Sequence, residues 1–358
     1  MSSINAPRAQ RRLDLWNTPS ASGCGSSCPP QFGLRTRAPE AKAPLRFRYL
    51  RLSVTDRCNL RCTYCMPARD VKFLPKSALL DTQELARLVR VLARTGIEKV
   101  RITGGEPLLR RDLASLVEHI ASFPGIRELA LTTNAILLAA QARALAAAGL
   151  QRVNISLDSL DPGQFARITR GGRLRDVLAG IDAACHAGLT PVKINVVVMR
   201  GWNDHELQAF VELALSRPVE VRFIERMPVG SLSELGSFMS EAEMRELLQG
   251  YTLVDLPRDT SPAHPVSVRR GSAQGQIGFV SPMTRPFCAS CDRVRLTAQG
   301  ALRACLFDAA GVDVGALLRA GASDAELTQA LERATHLRRV GEVHGAVIDT
   351  QAMSQIGG

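Results

Sequence analysis

Six apolar runs alternate with amphipathic stretches of helical period between residues 49 and 224, and this alternation constrains the fold more than any other feature. Each run has four to seven residues rich in Val, Ile and Leu. Alternation of this kind predicts βα units whose strands form a parallel sheet. The predicted strands are Tyr49–Val54, Val100–Thr103, Leu129–Thr132, Val153–Leu157, Val192–Val198 and Val219–Ile224.

The stretches between these strands carry apolar residues at helical spacing. Gly96, Gly149 and Gly188 follow three of them, at the position where a left-handed residue ends a helix. Six strands favour an α/β fold of the partial (β/α)₆, TIM-like barrel type, and an open doubly wound sheet is the alternative. The predicted helices are Thr82–Arg94, Asp112–Ala121, Ala139–Ala148, Asp176–Ala187 and His205–Leu215.

The pattern divides the chain into three parts. Residues 1–45 are rich in Ser, Pro, Gly and Arg without an apolar period, which predicts a disordered leader. Residues 46–230 form the predicted barrel, and residues 231–358 a smaller C-terminal domain packed against it. The elements predicted there are a helix near Ser240–Leu248, strands near Tyr251–Leu256 and Gln276–Val280, and a helix over Asp324–Thr335.

Composition restricts the partners and the compartment. The 45 basic and 34 acidic residues give a net charge of +11, which favours anionic ligands. Aromatic residues make up only 4%, too few for the stacking platforms of single-strand nucleic-acid binders. No apolar run approaches 18 residues and no signal sequence is evident, so neither a membrane span nor secretion is expected. Nine cysteines, mostly in two clusters, indicate metal ligands in a reducing, cytoplasmic setting.

The first cysteine cluster is a C-x3-C-x2-C array directly after the first strand, formed by Cys58, Cys62 and Cys65. Thiolates at this spacing can all face one metal centre. A structural zinc site would need a fourth ligand, and the next histidine along the chain is His119. A [4Fe–4S] cluster with three cysteine ligands keeps one iron open for another molecule. We therefore predict such a cluster, with zinc as the alternative.

The second cluster is a C-x2-C-x13-C array of Cys288, Cys291 and Cys305. It again lacks a neighbouring fourth ligand. One interpretation is a structural zinc site that is completed by Cys185 or by a distant histidine. The other is a second [4Fe–4S] cluster whose open iron binds the substrate.

Arginines close to the second array indicate a phosphate ligand. Arg293 and Arg295 alternate, so on a strand both would point to the same side. Arg51 lies between Leu50 and Leu52 on the first strand, pointing where a barrel interior would be. Guanidinium groups match phosphate oxygens in geometry and charge. A solvated charged face is the alternative for each of them.

The motifs resemble those of the radical S-adenosylmethionine (SAM) superfamily. The first array has the aromatic Tyr64 before its last cysteine, and Gly104-Gly105-Glu106-Pro107 follows the second strand. The resemblance implies that the open iron binds the methionine part of SAM. It also implies reductive cleavage of SAM to a 5′-deoxyadenosyl radical.

Within that superfamily the chain resembles the GTP 3′,8-cyclase family from about Arg46 to Gly358. The shared segments are RLSVTDRCNLRCTYCMP, RITGGEPLLRRDL, LTTN, NISLDSL, FIERMPVG, FCASCDRVRL and the final GG. The resemblance implies a lyase of molybdenum cofactor biosynthesis that converts GTP to (8S)-3′,8-cyclo-7,8-dihydroguanosine 5′-triphosphate. It also implies two [4Fe–4S] clusters, SAM as radical source, and a downstream cyclic pyranopterin monophosphate synthase. The reductant protein is left open, and a homodimer is one option.

The family pattern assigns further site residues. Gly357 and Gly358 at the chain end are expected to reach into the active site, and no catalytic residue beyond the clusters is predicted. Lys193 also stands out because it lies in an apolar strand, although a lysine that snorkels at a strand end is the alternative. Ala135 stands where a glycine commonly follows TTN. The implied SAM contacts are Tyr64, Gly105, Ser156 and Met227, and the implied GTP contacts are Arg51, Arg101, Thr132, Lys193, Arg293, Val294 and Arg295.

Two other functions fit parts of the sequence. A radical enzyme with an auxiliary cluster could act on a peptide, but such enzymes carry more C-terminal cysteines. A basic, zinc-dependent nucleic-acid module would be colourless, whereas iron–sulfur clusters would colour the protein brown.

Overall fold

One sheet organises the chain in the computed structural model, which describes residues 47–228, 237–258, 261–307 and 311–336. Within these residues, twelve strands follow the order β12-β11-β10-β1-β2-β3-β4-β5-β6-β9-β8-β7. The strands are β1 Tyr49–Ser53, β2 Lys99–Thr103, β3 Glu128–Thr133, β4 Arg152–Ser156, β5 Val192–Val198, β6 Val219–Glu225, β7 Thr252–Asp255, β8 His264–Arg270, β9 Ala273–Val280, β10 Arg293–Leu296, β11 Ala301–Arg303 and β12 Val312–Asp313.

Strands β1 to β6 are parallel neighbours connected by helices, which is the architecture of a partial (β/α)₆ barrel. Leu50 and Leu52 are fully buried, and their alternation with Arg51 gives β1 one apolar and one polar face. The helices are α1 Thr82–Arg94, α2 Leu113–Ala121, α3 Leu138–Ala147, α4 Pro162–Thr169, α5 Leu174–His186, α6 Leu207–Ser216, α7 Glu241–Glu246, α8 Val314–Arg319 and α9 Asp324–His336.

Local sequence explains where the first helix begins and ends. Asp81 accepts a hydrogen bond from the backbone of Glu84 while the Glu84 side chain accepts one from the Asp81 backbone, which forms a capping box. Gly96 follows the helix with a φ of 108°, a backbone conformation that favours glycine. The predicted bounds of this helix, residues 82–94, are confirmed.

The predicted fold class is confirmed. Val192–Val198 has its predicted bounds, and the other five predicted strands differ from the observed ones by one residue at one or both ends. The sequence did not predict α4, α8, β8, β11 or β12. It predicted a C-terminal region packed against the barrel, and the described strands of that region extend the barrel sheet at both edges. Strands β7 to β9 lie beyond β6, and β10 to β12 lie beyond β1.

Several sequence predictions concern residues that the structure does not describe. These are the leader over residues 1–45 with Cys24 and Cys28, and the terminal Gly357 and Gly358. The predicted boundary between residues 230 and 231 also falls in such a segment and stays a prediction. Among the described helices, none has the length and apolarity needed to cross a bilayer.

Candidate functional site

The first cysteine array lies on the loop that follows β1, at the carboxyl end of the parallel strands. Cys62 begins a tight turn, because its carbonyl accepts hydrogen bonds from the backbone N–H groups of Cys65 at 2.9 Å and Met66 at 3.1 Å. The loop is held against the end of α4, where the Arg170 guanidinium donates to the carbonyls of Arg61 and Met66. The turn therefore places its cysteines where barrel enzymes have their active sites.

Burial favours the protonated form of two thiols of this loop, those of Cys58 and Cys62. Burial raises the pKa of Cys58 to about 11, and burial together with Cys65 and Asp158 raises the pKa of Cys62 well above its usual range. None of the seven cysteines in the described residues forms a disulfide, and no three Cys, His, Asp or Glu side chains there are already gathered as a metal site. A bound cationic centre would favour the thiolate form, so the donor set suits an iron–sulfur cluster. The ligand assignment stays a prediction.

The Gly-Gly-Glu-Pro segment after β2 packs backbone to backbone against the cysteine loop. The N–H of Gly105 donates to the Thr55 carbonyl at 2.7 Å, and the N–H of Glu106 donates to the Arg57 carbonyl at 2.7 Å. A Cβ atom on Gly105 would lie 2.3 Å from the Arg57 carbonyl oxygen. Only glycine permits this approach, which fixes the predicted SAM-binding segment beside the cysteines.

Replacing Gly105 with alanine is expected to destabilise the protein by about 1–3 kcal/mol, because the backbone of one loop must move. SAM affinity should fall at least tenfold for the same reason. Chemical unfolding and equilibrium binding measure the two effects. Gly250→Ala is the matched control, since a Cβ there meets no atom within 4 Å. Equal stability of the two variants would contradict this view of the loop contact.

Glu106 joins three segments of the site. Its Oε1 accepts hydrogen bonds from Thr133 Oγ1 at 2.7 Å and the Leu108 N–H at 3.0 Å, and its Oε2 accepts one from the Asn134 N–H at 2.8 Å. Asn134 in turn donates to Asn59 Oδ1 on the cysteine loop at 2.8 Å. Burial raises the pKa of Glu106 to about 7, against the effect of these hydrogen bonds. In the sequence, Glu106 stands out only as part of the Gly-Gly-Glu-Pro segment.

Tyr64 is anchored by a buried acid that the sequence analysis did not single out. Its hydroxyl donates to Asp158 Oδ2 at 2.7 Å, and Asp158 Oδ1 accepts from the Val197 N–H at 2.8 Å. Burial raises the pKa of Asp158 to about 6. Because Ser156 ends β4 two residues before Asp158, the contact of Tyr64 with Asp158 brings the cysteine loop to the carboxyl end of β4. The sequence signal available for Asp158 was an acidic residue directly after a predicted strand, in the segment NISLD.

Arginines from three adjacent strands line up beside the loop. Arg51 on β1 pairs in register with Arg295 on β10 and with Arg101 on β2. Burial and Arg295 lower the pKa of Arg51 to about 9, while burial chiefly lowers that of Arg101 and of Arg295 to about 10. Three cationic side chains in register would favour a bound anion, because guanidinium groups match anionic oxygens in geometry and charge.

A second polar row crosses β3 to β6. Thr132, Asn154, Lys193 and Glu220 are paired in register on these strands. Lys193 Nζ lies 2.7 Å from Glu220 Oε2, and Arg222 binds Oε1 of the same carboxylate at 2.6 Å. Lys193, a predicted GTP contact, therefore shares a buried carboxylate that the sequence analysis did not consider. The hydroxyl of Thr132 is buried and has no hydrogen-bond partner within the described part of the chain.

The second cysteine array lies around the β10–β11 hairpin. Cys288 and Cys291 precede β10 and Cys305 follows β11. Arg293 Nε donates to Cys291 Sγ at 3.4 Å, and Cys305 and Cys291 both act electrostatically on Arg295. The cysteines and the arginines therefore occupy one region.

Val294 and Met227 differ in how they relate to this region. The Val294 side chain is 2% exposed and packs in the core, so any GTP contact from this residue must come from its main chain. Met227 is half-buried and packs against Leu306, next to Cys305. Met227, a predicted SAM contact, therefore lies next to the second cysteine array.

Glu225, which the sequence analysis also missed, fixes the segment before Cys288. Its Oε2 accepts hydrogen bonds from the N–H groups of Met283 and Thr284, each at 3.0 Å, and its Oε1 accepts one from the Glu241 N–H at 3.0 Å. Because Glu225 ends β6, the end of the barrel positions the chain leading to the second array.

Two family models match the chain. The model of the Radical SAM superfamily matches residues 52–214, and the model described as Molybdenum Cofactor Synthesis C matches residues 219–342. A solved structure of SuiB from Streptococcus suis has a similar fold, with a TM-score of 0.55 and 16% identity. That similarity covers 74% of this chain and 61% of SuiB. Together with the three-cysteine loop after β1, these matches define a radical SAM protein.

Sequence relatives define the group more narrowly. The GTP 3′,8-cyclase of Moorella thermoacetica is 44% identical over 316 residues, which cover 87% of this chain and 98% of that protein. The GTP 3′,8-cyclase of Pelotomaculum thermopropionicum is 45% identical over 316 residues, covering 87% and 97%. The chain belongs to the GTP 3′,8-cyclase family.

Proposed function

We propose that this chain converts GTP to (8S)-3′,8-cyclo-7,8-dihydroguanosine 5′-triphosphate, the first step of molybdenum cofactor biosynthesis. The observation that carries the proposal is the in-register arrangement of Arg51, Arg101 and Arg295 beside the second cysteine array. A triphosphate neutralises such a row, whereas an uncharged peptide would leave its repulsion in place. The relatives of this chain are named for this reaction, and its membership of their family supports the proposal.

Two [4Fe–4S] clusters suit the cysteine donors. Cys58, Cys62 and Cys65 would hold the cluster that binds SAM, and Cys288, Cys291 and Cys305 the cluster that binds the substrate. When bound, the first cluster and SAM would supply the radical chemistry that replaces the C3′–H bond of the ribose with a bond from C3′ to C8 of guanine, and the cyclised nucleotide would then take up one electron and one proton. An external reductant provides electrons, and cyclic pyranopterin monophosphate synthase consumes the product.

The protein contributes positioning and electrostatics. Gly105 lets the loop after β2 approach the cysteine turn, and Asp158 fixes the hydroxyl of Tyr64. Gly105, Tyr64, Ser156 and Met227 are the proposed SAM contacts at the carboxyl ends of the strands. The buried arginines orient the triphosphate, so that the ribose faces SAM. Thr132 and Lys193 are the proposed contacts on the other side of the barrel.

Anaerobic purification followed by an assay with GTP, SAM and dithionite tests the proposal. We expect about seven to eight iron atoms per chain, 5′-deoxyadenosine, and a cyclised nucleotide identified by mass spectrometry. Colourless protein containing zinc would contradict it. So would iron-containing protein that cleaves SAM without altering GTP.

The terminal glycines Gly357 and Gly358 have a proposed role in product formation. A glycine backbone can approach a substrate pocket that any side chain would fill. Deleting both residues is expected to lower formation of the cyclised nucleotide at least tenfold, or about 1.4 kcal/mol in barrier. Iron content, GTP affinity and SAM cleavage should remain nearly unchanged. Product formation at the wild-type rate would assign the two glycines no role.

A further inference from the structure

Arg303 extends the arginine row by one strand. It lies on β11 and pairs in register with Arg295 on the neighbouring β10. Arg295 pairs with Arg51 on β1, and Arg51 pairs with Arg101 on β2. Four arginines therefore stand side by side on four adjacent strands. Three strand spacings of about 4.8 Å separate the first from the last, about 14 Å in all.

Apolar and charged residues alternate along β10 and β11, and this alternation places Arg303 on the polar face of the sheet. Leu302 and Leu296 pair with each other and are each 1% exposed in the apolar core. Their neighbours Arg303 and Arg295 therefore project to the opposite face of the sheet. Arg303 is 5% exposed and Arg295 is 8% exposed, so water contributes little to the solvation of either cation.

The positive charge of the four arginines in the row favours an anionic ligand. Arg101 is equally buried, at 8% exposed, and its Nε has no hydrogen-bond partner among the described residues. Glu128 on β3 binds Arg152, and Glu220 on β6 binds Lys193 and Arg222. A ligand with several adjacent anionic oxygens is the chemical match for four aligned guanidinium groups.

We propose that Arg303 is a further substrate-binding residue, which binds the polyphosphate together with Arg295, Arg51 and Arg101 and makes the site selective for the triphosphate over the nucleoside. This inference rests on the proposed function, since it takes GTP as the ligand. Arg303 also lies two residues before Cys305, so it connects the polyphosphate region to the second cysteine array. The pairing depends on the antiparallel return of β11, which the sequence analysis did not predict.

Equilibrium binding of GTP and of guanosine to the anaerobically reconstituted holoenzyme, without SAM, tests this role. Arg303→Met removes the charge and keeps a long side chain, and Arg303→Lys keeps the charge without the planar fork. We expect Arg303→Met to weaken GTP binding at least tenfold while guanosine binding changes less than twofold. Arg303→Lys should lose less GTP affinity than Arg303→Met. Arg90→Met, at an exposed position on α1, is the matched control and should change neither affinity.

Thermal unfolding without nucleotide separates a binding role from a structural one. The Arg303→Met and Arg303→Lys proteins should each unfold in one cooperative transition without nucleotide, so that a loss of GTP affinity reports binding and not misfolding. Equal losses of GTP and guanosine affinity would overturn the role of Arg303, as would GTP binding within twofold of wild type. If wild-type holoenzyme does not bind GTP, the proposed function itself is wrong.

Discussion

Replacing Cys62 with alanine is expected to abolish reductive cleavage of SAM, lowering the rate of 5′-deoxyadenosine formation by at least about 10³-fold, or about 4 kcal/mol in barrier. Cys62 begins the turn that carries Cys65, and its half-buried thiol lies within electrostatic reach of Cys58 and Cys65. Loss of one of three ligands removes the cluster that binds SAM, and no neighbouring cysteine can replace it. Iron analysis and quantification of 5′-deoxyadenosine measure the result.

Cys185→Ala is the matched control for this variant. Cys185 lies on α5, outside both arrays, and packs against the barrel core. Its loss should leave iron content and SAM cleavage unchanged. The ligand assignment would be wrong if Cys62→Ala kept its full iron content, or if Cys185→Ala lost as much iron.

The fold was predictable because its signals are local. Strand-type runs, helical periodicity and the capping residues around Thr82–Arg94 lie within short windows of sequence. The cysteine arrays and the Gly-Gly-Glu-Pro segment are equally local, since each ligand set lies on one loop or hairpin. β8 was missed because Pro265 and two charged residues interrupt its apolar pattern, and its pairing with β9 depends on the antiparallel hairpin.

Buried acids of the site were not predictable from local pattern. Glu106, Asp158 and Glu225 accept hydrogen bonds from backbone N–H groups on segments far away in sequence. Each appears in the sequence as an ordinary polar residue after a strand. Only the parallel order of the strands brings their partners within reach, so their roles follow from topology. The same reason explains why Arg303 was missed while Arg293 and Arg295, which alternate on one strand, were found.

The carboxyl ends of β1 and β6 hold the two cysteine segments through different contacts. The first array is fixed by the backbone of the loop after β2 and by the end of α4. The second array is held by two contacts. Glu225 accepts hydrogen bonds from the N–H groups of Met283 and Thr284, which precede the array, and Arg293 donates to Cys291 within it. Because these contacts are separate, loss of one array should leave the other in place.

Replacing Cys291 with alanine is therefore expected to separate the two activities. SAM cleavage should persist within about tenfold of wild type, because the first array and its supports are untouched. Formation of the cyclised nucleotide should fall at least about 100-fold, or about 2.7 kcal/mol in barrier, because the substrate loses its cluster and Arg293 loses its thiol acceptor.

The measurement compares 5′-deoxyadenosine with cyclised nucleotide in one anaerobic reaction, so that the ratio of the two products reports the coupling between radical formation and substrate. Ser290→Ala is the control within the same turn, because its hydroxyl is exposed and donates only to the Phe287 carbonyl. The control should keep the wild-type ratio and iron content. If Cys291→Ala still formed the cyclised nucleotide at a near-normal rate, the second array would be structural and the substrate would bind elsewhere. A Cys291→Ala protein without SAM cleavage would show instead that the two arrays depend on each other.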